Sequence, residues 1–373
     1  MPKRTYLYEP DYAVPPGRVL DERLEANGLS QAEFARRCGR SPKLISEIVT
    51  GKAPIEAKTA LQFERVLGVD AGIWLGLERD YRLHQARKAE AREAEASAAW
   101  ARGFSVAELM KRGAIQKVTS AGETVTQLLN LFGVASKGAW NTKYEAIAVS
   151  YRQSTSFESK KPDLTAWLRL VEIEAEAQQL DKYDRSSFLK ALKEIRQLTL
   201  VEIPQALEQA RVLCNEAGVA LVWVKQLPGA RVSGAAWWLE PSKPVIALSA
   251  RHLSADQLWF SLFHEAAHIL RHSKRNVFVD WGNGDVDAEE AEANDWAERI
   301  LLSPSAWQRF VASGACFDEE SICNFAHEQK TAPGIVLGRL QHEEFLGWNS
   351  LSHLRVRLKW SEDGSQLCAA TDG

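Results

Sequence analysis

The stretch that most restricts what this chain can become is Leu258–His272, LWFSLFHEAAHILRH. His264 and His268 are four residues apart inside an apolar run of helical spacing, so a helix places both imidazoles on one face, about 6 Å apart. That is within reach of a single ion. Zinc accepts neutral imidazole nitrogens and carboxylates at roughly 2.0–2.2 Å, and a catalytic site leaves one position to water. Glu265, beside the first histidine, is then placed to take a proton from that water. Leu258, Phe260, Leu262, Phe263, Ile269 and Leu270 supply the dry surroundings such a metal needs. The alternative is two core histidines satisfied by hydrogen bonds, and a third ligand decides between the readings.

His272 continues the spacing, but it lies eight residues beyond His264, about 12 Å of helical rise. Ligands of one zinc sit only about 3 Å apart, given their bond lengths. His272 therefore reads as a surface or supporting residue, unless the helix breaks after His268. The downstream segment DAEEAEANDWAERILLSP, Asp287–Pro304, carries a helical apolar stripe through Ala288, Ala291, Trp296, Ile300 and Leu301. Within it, Glu289 and Glu290 read as part of a solvated acidic face. Glu292, next to the small Ala293 where helices can pack closely, reads as the third ligand.

HEAAHILRH followed by EAEANDWAERILLSP resembles the ImmA/IrrE family of bacterial metallopeptidases. The family pattern is a His-Glu-x-x-His helix, then a Glu-Ala-Asn-x-Phe-Ala helix ending in a Leu-Leu-x-Pro turn. The resemblance spans roughly residues 200 to 345, and Trp296 and Ser303 depart from the pattern without touching a ligand. It implies Zn2+ held by His264, His268 and Glu292, with Glu265 as general base, in a zincin-like core.

At 373 residues there is room for two or three domains. A hydrophobic content of 45% with 25% charged residues is that of an ordinary globular protein. The net charge of −3 argues against a generally basic nucleic-acid coat while leaving room for a local basic face. No apolar run approaches the ~18 residues of a membrane span. MPKRTYLYEPDYAV also lacks the apolar centre of a signal peptide. Five scattered cysteines, Cys316 and Cys323 among them, carry no metal-type spacing. A cytoplasmic location with reduced thiols is expected.

Near the start, RVLDERLEANG has helical spacing and stops at Gly28. Ser30 caps QAEFARRCG and Glu33 is set to close a capping box. Ser41 caps SPKLISEIVTGK, with Pro42 at the first helical position. Two short helices across a glycine turn make a helix-turn-helix pattern. Arg36, Arg37, Arg40, Lys43 and Lys52 outnumber Glu47 around the second helix, a charge balance suited to phosphates. Residues 16 to 81 resemble the HigA-type, Xre-like DNA-binding domain. Arg40, Ser41, Lys43 and Ser46 are the expected DNA contacts, and the resemblance implies a homodimer spanning two operator half-sites.

The expected fold is mainly α with a small β-sheet. It comprises a helix-turn-helix domain over residues 14–80, a helical connector over 81–125, a helical intermediate region over 126–200, a metallopeptidase core over 201–310 and a helical tail over 311–360. ALVWVKQL, GAAWWL and PVIALSA supply the strands, one of which should form a sheet edge for an extended substrate. Trp237 and Trp238 are core or groove residues, and Tyr183, His327 and His342 are open candidates for polarising a carbonyl. The function expected is zinc-dependent cleavage of a protein substrate, by resemblance a transcriptional repressor or antitoxin, coupled to operator binding. The alternative is a HigA-like repressor whose peptidase-like part is a partner-binding scaffold.

Overall fold

The computed structural model describes residues 12–144, 161–273, 278–280, 288–313 and 317–370. It divides into two compact units, residues 1–96 and 97–373, and is mainly α with small sheets. Asp287 and Cys316 lie outside the described residues, so a pairing of Cys316 with Cys323 does too. Among the described residues no helix is long and apolar enough to cross a membrane.

The first unit contains α1 (Pro16–Ala26), α2 (Gln31–Cys38), α3 (Pro42–Val49), α4 (Ala57–Leu67) and α5 (Ala71–Ala96). Ser30 and Ser41 each accept a hydrogen bond from the third residue of their helix, Glu33 N and Leu44 N. Glu33 spends its carboxylate on Arg36 and Arg37, and these guanidiniums, Arg37 foremost, hold it below the usual carboxylate range. Gly39 closes α2 in the left-handed region, at φ 61°. Leu20, Leu24, Phe34, Ile45, Ile48 and Phe63 form the core. Trp74 of α5 completes it, edge-on to Phe63 at 5.6 Å. Residues 81–96 continue α5 as one 26-residue helix.

The second unit opens with α6 (Ala98–Ala101), α7 (Val106–Lys111), α8 (Ala121–Phe132), α9 (Lys137–Lys143), α10 (Lys161–Glu176), α11 (Arg185–Gln197) and α12 (Gln205–Glu216). Then come β1 (Ala220–Trp223), β2 (Gly234–Glu240) and β3 (Lys243–Leu248), followed by α13 (Ala255–Arg271) and β4 (Phe278–Asp280). After α14 (Ala288–Leu301) follow α15 (Pro304–Ala312), α16 (Glu319–Gln329) and α17 (Pro333–His342). The sheet order is β1-β3-β2-β4, with β1 parallel to β3 and the other neighbours antiparallel.

Helix α13 packs across β2 and β3 on one side and against α14 and α17 on others, which is why nearly its whole length is buried. The C-terminal segment ties down its start: Ala255 N donates to Val356 O at 3.0 Å, and Arg355 Nε sits 3.4 Å from the buried Asp256. A hairpin of β5 (Leu358–Trp360) and β6 (Leu367–Ala369) ends the described chain, where the sequence reading had a purely helical tail through residue 360. Its turn carries Asp363-Gly364, with Gly364 at φ 74°, a hairpin signal that alternation over only three residues per strand left unsupported.

Gly17 lies where α1 comes against the backbone at the end of α3. A Cβ there would lie 2.2 Å from Ile48 O and 2.4 Å from Val49 O, both rigid backbone atoms. Alanine would gain about 1 kcal/mol of helix propensity but must push α1 off α3, an overpacking cost of about 1–3 kcal/mol or more. Gly17→Ala is therefore expected to lower the melting temperature of the first unit by several degrees in calorimetry of the full chain. An unchanged or raised transition would show that α1 is free to shift.

Candidate metal centre and nucleic-acid interface

One turn of α13 carries His264, Glu265 and His268, all buried. The Nε2 atoms of the two histidines are 3.1 Å apart. Glu290 of α14 closes the cluster, its Oε2 3.1 Å from His264 Nε2 and its Oε1 3.5 Å from His268 Nε2. One ligand atom from each of these residues lies within 4.8 Å of the others. Separations near 3 Å are those of donors sharing one zinc.

The donor chemistry also fits a cation. His264 Nδ1 lies 2.9 Å from the Asn294 amide oxygen, which only accepts. His264 therefore holds its proton on Nδ1 and turns an Nε2 lone pair toward His268. Burial pulls the His268 pKa down to about 2, with His264 and His272 adding to the effect, so this ring stays neutral and competent to ligate. Phe278 of β4 stacks on the His268 ring at 4.2 Å and limits how far it can turn.

Here the structure corrects the sequence reading. Glu292 points away from both Nε2 atoms: its Oε1 accepts from Arg271 Nη1 at 2.5 Å and its Oε2 faces His272 Nε2 at 3.5 Å. Arg271, then His272, holds the Glu292 carboxyl below its usual range. The reason is helical phase. Ala293, Ala297 and Leu301 form the buried face of α14, and Glu290 and Asn294 continue that face, whereas Ala288 and Ala291 are exposed. Two missed residues, Glu290 and Asn294, were legible only as an i, i+4 pair on the stripe through Ala293 and Ala297. His272, read as a surface or supporting residue, lies with its Nδ1 2.8 Å from His268 Nδ1.

Glu265 is fully buried, and strand β2 comes close to it because residue 234 is glycine. A Cβ at Gly234 would lie 2.5 Å from Glu265 Oε1. Trp237 is core, while Trp238 is partly buried and packs edge-on to Tyr183 at 5.1 Å. His327 and His342 are exposed on α16 and α17.

In the first unit, Ser41 caps α3, and Ser46 is exposed on that helix. Lys43 has 83% of its side chain exposed and only a loose pairing with Glu47 at 3.8 Å. Arg40 is committed within the unit: its Nε donates to Gln62 Oε1 at 2.6 Å and its Nη2 to Thr59 Oγ1 at 3.0 Å. Lys43 and Ser46 are thus the more open of the four residues read as DNA contacts.

Residues 20–74 match the helix-turn-helix family model, and residues 215–332 match the model of the IrrE N-terminal-like domain, a peptidase family. The helix-turn-helix transcriptional regulator YddM of Escherichia coli is 33% identical over 73 residues, 20% of this chain and 78% of YddM. Virulence-associated protein I of Dichelobacter nodosus is 39% identical over 77 residues, 20% of this chain and 71% of that protein. Among solved structures, an addiction module antidote protein of a HigA family from Coxiella burnetii is 26% identical, covering 22% of this chain and 90% of that one, with a TM-score of 0.21. The chain therefore belongs to the Xre-like helix-turn-helix regulators through its first unit and carries, in its second, a domain of the ImmA/IrrE peptidase family.

Proposed function

We propose that the second unit is a zinc-dependent endopeptidase and that the helix-turn-helix unit addresses it to an operator in the cytoplasm. The observation that carries this reading is the convergence of His264, His268 and Glu290 beside the buried Glu265. His264 and His268 would hold the ion through Nε2, and Glu290 through its carboxylate. Bound there, zinc supplies Lewis-acid polarisation of the scissile carbonyl and a nucleophilic water at neutral pH.

The protein's own residues do the rest. Glu265 accepts the proton of the attacking water and passes it to the leaving amine nitrogen. Asn294 fixes the His264 tautomer, as a hydrogen-bonded partner does for a ligating imidazole. β4 is an edge of the sheet and lies against α13, so an extended segment can add to it through backbone hydrogen bonds. Such a substrate is a protein able to present an extended strand, and a repressor or antitoxin bound at the same operator suits a peptidase delivered by a DNA-binding unit. A dimer of the first unit would span two half-sites about one helical turn apart.

The purified chain is expected to hold about one zinc ion, as a site with a single three-ligand cluster does. Glu290→Ala should empty it, Glu292→Ala should leave most of it, and Glu265→Gln should keep the metal while losing hydrolysis. Metal analysis by mass spectrometry checks the order; loss with Glu292→Ala but not with Glu290→Ala would overturn the ligand set. Gly234→Ala should behave like Glu265→Gln, because the new methyl displaces the Glu265 carboxylate without touching a ligand. A Gly234→Ala chain of full activity against a cleaved repressor would contradict that placement of the base.

Operator binding is expected to fall steeply with salt. Lys43→Ala should weaken it across sequences and reduce the salt slope by about one unit, the signature of a phosphate contact. Arg40→Ala should instead lower the stability of the first unit. Equal affinity for operator and random duplexes at moderate salt would leave only nonspecific binding.

A further inference from the structure

The metal centre proposed above leaves a third histidine unaccounted for. His272 follows the last residue of α13 as its C-cap, with only 4% of its side chain exposed, and its Nδ1 lies 2.8 Å from Nδ1 of His268. Its other nitrogen, Nε2, faces Glu292 Oε2 at 3.5 Å, an electrostatic contact slightly long for a formed hydrogen bond. Glu292 is in turn anchored by Arg271 Nη1. Phe278 lies against both rings, 4.2 Å from His268 and 5.4 Å from His272. Arg271, Glu292, His272 and His268 thus stand in a row that reaches the Nδ1 edge of the His268 ring, hydrogen-bonded at either end and joined in the middle by the 3.5 Å contact.

The proton assignment follows from the valence of imidazole. A neutral ring carries one N–H and one lone pair. For His268 to offer a lone pair at Nε2, its proton must sit on Nδ1, which has to donate. The acceptor at 2.8 Å is His272 Nδ1, so the one N–H of a neutral His272 sits on Nε2, 3.5 Å from the Glu292 carboxylate. Reversing the relay would put a proton on His268 Nε2, aimed at His264 Nε2 and the Glu290 oxygens, and would withdraw a ligand. The negative charge on Glu292 favours the first arrangement. On His264 the same task falls to Asn294 Oδ1, which only accepts.

Resting on the reading of this cluster as a metal centre, we propose that His272, backed by Glu292, is a positioning residue that holds His268 in its Nδ1–H tautomer and thereby sets the metal affinity. His272 is not a ligand and does not touch the reacting atoms. Partners of this kind are typically worth about 10–100-fold in metal affinity. The relay also gives the exposed Glu292 a role beside the centre, although it does not reach the ion.

The test is competition of cobalt(II) and zinc(II) against a chelating dye with the full chain, folding being checked by circular dichroism and thermal melting. His272→Phe keeps an aromatic ring against Phe278 but removes the acceptor; it should weaken both ions about 10–100-fold. His272→Asn puts an amide oxygen where Nδ1 stood and should stay within a few-fold of wild type, a rescue that ring packing alone would not give. Glu292→Ala should cost a few-fold alone and nothing more when added to His272→Phe. Wild-type affinity in His272→Phe, or equal losses in His272→Phe and His272→Asn, would overturn the relay while the metal centre stands. If His272→Phe does not fold, Glu292→Ala decides on an exposed position, and an unchanged affinity there overturns the proposal. A wild-type chain that takes up neither ion overturns the metal reading and the relay with it.

Discussion

The close approach of α13 and α14 is the constraint on which the second unit depends. Ala293 and Ala297 are fully buried at this contact, and their single methyl groups let the two backbones come near. Only then can the short carboxylate of Glu290 reach two nitrogens on the neighbouring helix, at 3.1 and 3.5 Å. A larger side chain at either alanine would separate the helices, and the three donors would no longer share one small volume. Packing and side-chain placement are one requirement here, since the residues that let the helices touch also position the Glu290 carboxylate beside the histidines.

The sheet supplies the second half of the arrangement. β2 passes Glu265 at a distance that no Cβ at residue 234 would allow, and β4 brings Phe278 onto the His268 ring. A carboxylate enclosed in this way keeps its geometry without solvent, as the base role proposed for Glu265 requires. The polar chain through His272 to Glu292 and Arg271 runs from the same helix turn to the surface.

The first unit solves a different problem with different means. It is small, and its stability comes from an aromatic cluster of Phe34, Phe63 and Trp74 beneath two short capped helices. Its surface carries positive charge on both of these helices: Lys43 of α3 is exposed, and Arg36 and Arg37 of α2 are partly balanced by Glu33. Arg40, although similar in charge, ties the turn between α2 and α3 to α4. Phosphate attraction needs only charge at the surface, so a few such residues suffice in a chain of net charge −3.

Much of this was legible in the sequence because it is local. The His264–His268 spacing, the serine caps at Ser30 and Ser41, the glycine turn at Gly39, and the three strands before α13 follow from neighbours a few residues apart. The mainly α fold with a small sheet was readable for the same reason. The third member of the cluster was not. Alanine and glutamate alternate through AEEAEAN, so the helix has little hydrophobic contrast and its phase cannot be fixed from within. The stripe drawn through Ala288 and Ala291 selected Glu292, whereas contact with α13 buries Ala293 and Ala297 and selects Glu290. The three-residue β4 and the closing hairpin were hidden likewise, being too short to show a period and formed only by pairing with distant partners. Sequence determined which residues form helices and which side chains offer metal chemistry; the tertiary structure alone decided which carboxylate meets the histidines, because rotating α14 by one or two residues exchanges its buried face for its exposed one.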